Sequence, residues 1–384
     1  MGIINGNSFY ELVSGSSWSE AESNSISIGG HLVTINDATE SSWLTSNLTW
    51  NAPSNSSYGA YGHDGTIAYW IGLTDIDGNR TWADGTSVSY VNGTFFNDSE
   101  DYFTLGNNGH WNDLSDSTKS WFQMSHGIAE IPLSYFSISD LTITEGNSGN
   151  VTISRTGGTN SAQTLNLVSS NGTANAGSDY TAINQTISFA AGESSKTVAI
   201  SSIENSNTES TEIFSLSLTA SNSDTVPAQI TDGTATVTIQ DDDKEYNLST
   251  SSSSINEGST LTTSISTTNV ATGTTLYWSL SGTGITSDDF SSGALTGSGN
   301  VGSDGSLSFS HTLANDVTTE GSETLNIKLF SDSSRSTQVG STSSVSIGDT
   351  SKTLSPAYTI SPSSTSINEG STLTTSISTT NVAT

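Results

Sequence analysis

TATVTIQDDD, residues 234–243, holds the reading that decides the fold. Val237 and Ile239 alternate with threonine and glutamine, the period of a strand with one buried face. The run then ends in three adjacent aspartates. Outward from it, the same alternation recurs at Val151/Ile153, Val198/Ile200 and Phe214/Leu216/Leu218, with Gly/Asn/Ser turns between. Short strands at such spacing predict antiparallel β-sandwiches from Tyr135 onward. The aspartates repel one another. With 38 acidic residues against 8 Lys and Arg and a formal charge of -30, little is available to pair them. A divalent cation turns that repulsion into attraction; a solvated acidic turn is the alternative.

The composition narrows the partners. So few basic residues exclude nucleic acid as an expected partner, since phosphates need Lys and Arg, and make an anionic membrane a poor one. The chain has no cysteine, which removes disulfides, thiolate nucleophiles and Cys-based zinc sites. No apolar run approaches the roughly 20 residues that span a bilayer, so no transmembrane segment is expected. The start, MGIINGNSFYELV, shows neither the basic n-region nor the apolar core of a secretory signal, and Gly6 stands where a myristoylation signal has Ser or Thr.

Aromatics divide the chain: seven of its eight tryptophans lie within residues 1–121, and only Trp278 lies beyond. The first segment also carries two helix-start signatures, Ser17-Trp-Ser-Glu20 and Asp37-Ala-Thr-Glu40, with Trp18/Ala21 and Trp43/Leu44 as the buried sides. Strand-like runs surround them at 31–35, 69–73 and 127–132. Later, SINEGSTLTTSISTTNVAT occupies 254–272 and recurs unchanged at 366–384, a period of 112. Glu145-Gly146, Glu257-Gly258 and Glu369-Gly370 follow the same period. A period this long means whole domains in tandem. The expected organisation is 1–133, 135–243, 246–350, and 355–384 as the frayed or disordered start of a further repeat, within a fragment of a longer array.

Trp18-x-x-Ala21, Gly29-Gly30-His31-Leu32-Val33-Thr34-Ile35 and Glu40-x-x-Trp43-Leu44, then Trp70-Ile71-Gly72-Leu73 and Trp111-Asn112-Asp113, resemble a C-type lectin-like domain over residues 5–133. In that family's sugar-binding members calcium is held by a Glu-Pro-Asn loop, a later glutamate and the Asn-Asp of Trp-Asn-Asp. The resemblance therefore implies Glu100, Asn112 and Asp113 as ligands. No Glu-Pro-Asn is present; Asn97 and Asp98 are the candidates to substitute. Trp-Asn-Asp also has a purely structural role in this fold, and both readings stand. Asp75-Ile-Asp77-Gly78-Asn79 is not an EF-hand loop, because Arg80 and Thr86 fall where Gly and Glu belong; it reads as a hairpin turn.

Residues 135–243 resemble a Calx-beta domain, through Glu145-Gly146, Asp179-Tyr180, Phe189-Ala-Ala-Gly-Glu193, Ile203-Glu204-Asn205, Glu209-Ser-Thr-Glu212-Ile-Phe214 and Asp241-Asp242-Asp243. That likeness implies calcium ligands at Glu145, Asp179, Glu204, Asn205, Glu209, Asp241, Asp242 and Asp243, with Asn205 replacing an aspartate and lowering the charge. Residues 246–350 look like a divergent relative. There Glu257, Asp289, Asp316, Glu320 and Asp349 correspond, and the single terminal aspartate implies weaker binding or none.

The expected fold class is mainly β and multidomain: an α+β lectin-like head, then tandem antiparallel sandwiches. The expected function is extracellular, calcium-dependent recognition or adhesion at a cell surface. The head binds carbohydrate or another surface ligand, on a stalk stiffened by Ca2+. The alternative is a structural cell-surface or virion-fibre component whose head binds no glycan. No enzyme is expected, because His31, His63, His110, His126 and His311 show neither metal-ligand nor triad spacing.

Overall fold

The computed structural model describes residues 2–48, 60–61, 67–93, 100–116, 124–315, 321–350 and 355–381. It is mainly β and divides into two compact units. The first holds the head and the first sandwich. The second holds another sandwich and a hairpin.

In the head, β1 (Ile3–Asn5), β2 (Ser8–Ser14), α1 (Trp18–Ser27), β3 (His31–Leu32) and α2 (Ala38–Asn47) come first. Then follow β4 (Ala60–Tyr61), β5 (Ile67–Ile76), β6 (Asn79–Trp82), β7 (Tyr102–Gly106), β8 (Trp111–Leu114) and β9 (His126–Pro132). The sheet runs β1-β2-β9-β5-β7-β8, with β3 on β9 and with β4 and β6 on β5. Both helices start where the sequence predicts. Ser17 accepts from Glu20 N at 3.1 Å, and Asp37 accepts from Glu40 N at 2.8 Å. Each glutamate reaches one residue further back than a capping box requires, to Ser16 N and Asn36 N. Ala21 and Leu44 are buried. Trp18 is half-buried, its indole donating to Ile71 O at 2.7 Å.

β5 is buried continuously from Ala68 to Thr74 because both of its faces are covered. Ala68 and Trp70 join one core, with Ala21, Leu32 and Ile131. Tyr69, Ile71 and Leu73 join the other, with Val33, Leu44 and Trp111. At Gly72 a Cβ would stand 2.4 Å from Leu32 O, so only glycine lets the two backbones meet there.

The first sandwich comprises β10 (Ser134–Ile138), β11 (Leu141–Thr144), β12 (Ser148–Gly157), β13 (Gln163–Asn171) and β14 (Asn184–Phe189). It is completed by β15 (Ser195–Ser201), β16 (Glu212–Ala220), β17 (Gln229–Asp232) and β18 (Thr234–Gln240). Its sheets run β15-β12-β10-β17 and β11-β18-β16-β13-β14. The alternating residues meet between them: Val151, Ile153, Val198, Ile200, Phe214, Leu216, Leu218, Val237 and Ile239 share one core. Each such side chain contributes roughly 1.5–3 kcal/mol on burial. Head and sandwich interlock. Val226, from the β16–β17 connection, lies in the head core, and Asn7 bonds Leu133 N and the Tyr135 hydroxyl.

The second sandwich comprises β19 (Glu245–Thr250), β20 (Ser254–Asn256), β21 (Thr260–Thr268), β22 (Thr275–Ser281) and β23 (Phe290–Ser292). To these are added β24 (Thr296–Asn300), β25 (Ser306–Leu313), β26 (Glu323–Phe330) and β27 (Gln338–Gly348). The sheets run β19-β21-β25-β23 and β20-β27-β26-β22-β24. Trp278 stacks on Phe309 between them, with centroids 3.9 Å apart.

Residues 357–380 correct one expectation. They are not frayed but form a hairpin, β28 (Ala357–Pro362) paired with β29 (Thr375–Thr380). Its register, Ala357↔Thr380 through Pro362↔Thr375, repeats that of β19 and β21, Glu245↔Thr268 through Thr250↔Thr263. Local hydrogen bonds repeat as well, Thr374 N donating to Ser363 Oγ as Thr262 N donates to Ser251 Oγ. Backbone pairing and turn chemistry are local, so they form without a facing sheet. Burial does not: Ile265 is 2% exposed and its twin Ile377 66%.

Candidate metal centre

Strand pairing explains how the acidic residues of the first sandwich converge. β11 runs parallel to β18 with Thr144 opposite Gln240, so the residues that follow, Glu145 and Asp241, emerge side by side. Glu145 N donates to Gln240 O at 2.9 Å. Glu145, Asp241 and Asp243 then each present an oxygen within 4.8 Å of the others. Asp179, Glu209 and Glu212 form a second such group. Glu212 opens β16 opposite Ile239, near the end of β18. Asp179 closes a turn, taking Asn175 N at 2.6 Å.

Residues 202–205 tie the two groups to one pole. Ile203 N donates to Asp179 O at 2.9 Å, Ser202 N to Asn147 O at 3.0 Å, and the Asn205 amide to Glu145 Oε1. Gly146, at φ +69°, lies under Glu204, whose carboxylate a Cβ at 146 would strike.

The arrangement suits a hard cation. Glu145 is only 5% exposed, and Asp243 Oδ2 is buried without a hydrogen-bond partner. Carboxylates this close, partly withdrawn from water, are costly unless positive charge joins them. The donor set is all oxygen, which favours calcium or magnesium over zinc or copper. Calcium takes about 6–8 oxygens, so each group supplies part of a shell.

Of the ligands expected from the sequence, Glu145, Asp241 and Asp243 meet in one group, Asp179 and Glu209 meet in the other, and Asn205 touches Glu145. Asp242 and Glu204 are exposed and belong to neither group. Asp242 points away because the alternation of β18 continues past its end, keeping Asp241 and Asp243 on the side of Val237 and Ile239. Glu212 is a member that the sequence reading left out. The signal was its place at the start of a strand, three residues after Glu209.

In the second sandwich, Glu257, Asp289 and Asp349 join no group of three acidic ligands among the described residues. Asp289 instead caps a short 3-10 turn through Thr286, and Asp349 accepts from Gly321 N at 3.0 Å. Asp316 and Glu320 lie outside the described residues.

The head differs. Asn97 and Asp98 lie outside the described residues. Asn112 and Asp113 alternate on β8, so Asn112 is exposed and Asp113 buried. The Asn112 amide donates to Asp113 O at 3.0 Å. Burial pushes the Asp113 carboxyl up, and the charges of Glu100 and Asp75 add to that; its backbone N–H and the Arg80 guanidinium oppose it. Among the described residues no three acidic ligands of the head lie within 4.8 Å. The described candidates of the head are two carboxylates, Glu100 and Asp113, and the amide of Asn112. The Asp75–Asn79 stretch is a tight hairpin turn, with Asp77 and Gly78 both at positive φ.

Comparisons with known proteins match two segments of the chain to families. The family model of the Lectin C-type domain matches residues 14–122, and that of the Calx-beta domain matches residues 129–243. A perlucin-like protein of Mytilus galloprovincialis is 28% identical over 121 residues, covering 29% of this chain and 70% of its own length. Among solved structures, the apo-form Calx CBD1 domain is 24% identical over 29% of this chain and 99% of its own, at a TM-score of 0.27. The CBD12 pair from CALX1.2 is 15% identical over 56% of this chain and 99% of its own, at a TM-score of 0.31. The chain thus carries a Lectin C-type domain at residues 14–122, followed by a Calx-beta domain at residues 129–243.

Proposed function

We propose that this protein acts in recognition or adhesion outside the cell or at its surface. In this reading the lectin-like head engages carbohydrate or another surface ligand, and calcium binds the acidic pole of the sandwich that carries it. The observation behind it is the pole itself: Glu145 buried at the strand ends, with Asp241 and Asp243 beside it and Asp179, Glu209 and Glu212 next along. The interlocked cores support the link to recognition, since order at the sandwich is continuous with order in the head. The likeness to a lectin family supports a glycan as ligand. No catalytic role is proposed.

Calcium titration of the full chain by calorimetry tests this reading. Binding is expected, weakened at least tenfold by Asp243→Asn or Asp179→Asn. At calcium about 100-fold above Kd the folded state gains about 2.7 kcal/mol, read as a rise in Tm that a chelator reverses. A chain that binds no calcium, or whose binding ignores both substitutions, overturns the proposal. A glycan array probed with the full chain tests the ligand class separately.

A further inference from the structure

Asn269 follows β21 directly, and the register of β19 with β21, Glu245 opposite Thr268, brings it beside the residues that enter β19. Its side-chain amide offers two N–H donors. It bonds Asp241 Oδ2 at 2.8 Å and Asp243 O at 2.9 Å. The other oxygen of Asp241 accepts from Asp243 N at 3.2 Å. Residues 241–243 are thus drawn into a tight turn, and Asp241 and Asp243 are the two that meet Glu145. Each Asp241 oxygen keeps a lone pair for a cation. Asn269 sits at φ +55°, a left-handed conformation that asparagine tolerates better than most residues. Its counterpart one period of 112 on, Asn381, sits at φ +61° and donates at 3.4 Å to Ser355 O, the counterpart of Asp243 O. The clasp on that carbonyl is therefore a trait of the repeat. The bond to a carboxylate belongs to the segment ahead of β19, because the sequence has Thr353 as the counterpart of Asp241.

We infer that Asn269 is a positioning residue for the metal group, holding Asp241 and Asp243 on one side before any cation arrives. Carboxylate oxygens within 4.8 Å of one another repel, and two aspartates on a short connecting segment would otherwise swing apart into water. A neutral amide restrains them without adding a positive charge that competes with the cation. What is ordered beforehand need not be ordered on binding, so affinity rises. The affinity of the acidic pole is then set in part by a residue of the second sandwich. That calcium is the ion bound rests on the proposed function; the ordered turn rests on the hydrogen bonds alone.

Calorimetric calcium titration of the full chain reads the affinity. Asn269→Gly suits the left-handed backbone but loses the amide, and is expected to weaken Kd about three- to tenfold. Asn381→Gly loses the twin clasp and is expected to leave Kd unchanged. Backbone hydrogen exchange in chelator reads the ordering with no ion bound. There the Asp243 N–H is expected to be protected in the wild type and to exchange about tenfold faster in Asn269→Gly. A Kd that Asn269→Gly leaves unchanged or tightens overturns the inference. So does an equal weakening by Asn381→Gly, which marks a general loss of stability. Should Asn269→Gly fail to fold, the wild type decides: an Asp243 amide unprotected in chelator overturns the inference. A wild type that takes up no calcium sinks the proposed function and this inference with it, whereas a wild type that binds no more tightly than Asn269→Gly sinks this inference alone.

Discussion

Tyr10 places one hydroxyl 3.2 Å from Glu130 Oε1 and 3.2 Å from Glu40 Oε1. A phenol has a single proton to donate, so it cannot satisfy both carboxylates at once. Glu130 also accepts from Ser8 Oγ at 2.8 Å and Thr34 N at 3.2 Å. Burial raises its pKa above the ordinary 4.5, and the charge of Glu40 raises it further, against those hydrogen bonds. Burial and the same two carboxylates also push the Tyr10 phenol up. The folded chain thus holds the Glu130 proton more tightly than the unfolded chain. Its contribution to stability is full below about pH 4.5 and is lost as pH rises through the raised value. Glu130→Gln is expected to remove that loss. Denaturant unfolding between pH 4 and 8 should show a decline in the wild type that is shallower in the variant. None of this was legible in the sequence, where Glu130 is one acid in a strand-like run. Arg155 is similar: it is 3% exposed and, among the described residues, bonds neutral acceptors, Ser134 Oγ, Gly158 O, Ala190 O and Ser161 O. Long-range packing decides such cases, and no local pattern announces it.

Elements were more legible, because their signals are local. Ser17 and Asp37 mark both helix starts, and period two marks the strands of the first sandwich. The same period, carried three residues beyond β18, would have separated Asp242 from its neighbours. What hid from pattern was pairing between distant strands. The parallel match of β11 with β18 sets Glu145 beside Asp241, and the antiparallel match of β16 with β18 brings in Glu212. Asp37→Ala tests the element scale. It removes the acceptor for Glu40 N and should cost about 1 kcal/mol. It also loosens the α2 start that positions Glu40 against Tyr10, so the Tyr10 contact should weaken with it. Urea unfolding measures the first effect.

At the scale of the whole molecule, the head does not close on itself. Val226 completes its core from the sandwich, so both should unfold in one transition. Val226→Ala is expected to lower the stability of both by about 1–3 kcal/mol, with a single melting event retained in calorimetry. Two events, only one of them shifted, would show that the shared core is not energetically shared. The acidic excess belongs to the same scale. Repulsion across a surface of net charge -30 opposes compaction, and divalent ions relieve it most where oxygens converge.

The twin hairpin has a kinetic consequence. A denatured chain possesses two indistinguishable candidates, 254–272 and 366–384, for one position against β22–β27. Loop closure separates them only weakly, since its cost grows with the logarithm of length. Some chains will therefore collapse with the wrong twin installed and must back out before finishing. Deleting residues 355–384 should abolish that slow recovery, followed by stopped-flow fluorescence at Trp278, while leaving the unfolding rate of the second sandwich unchanged.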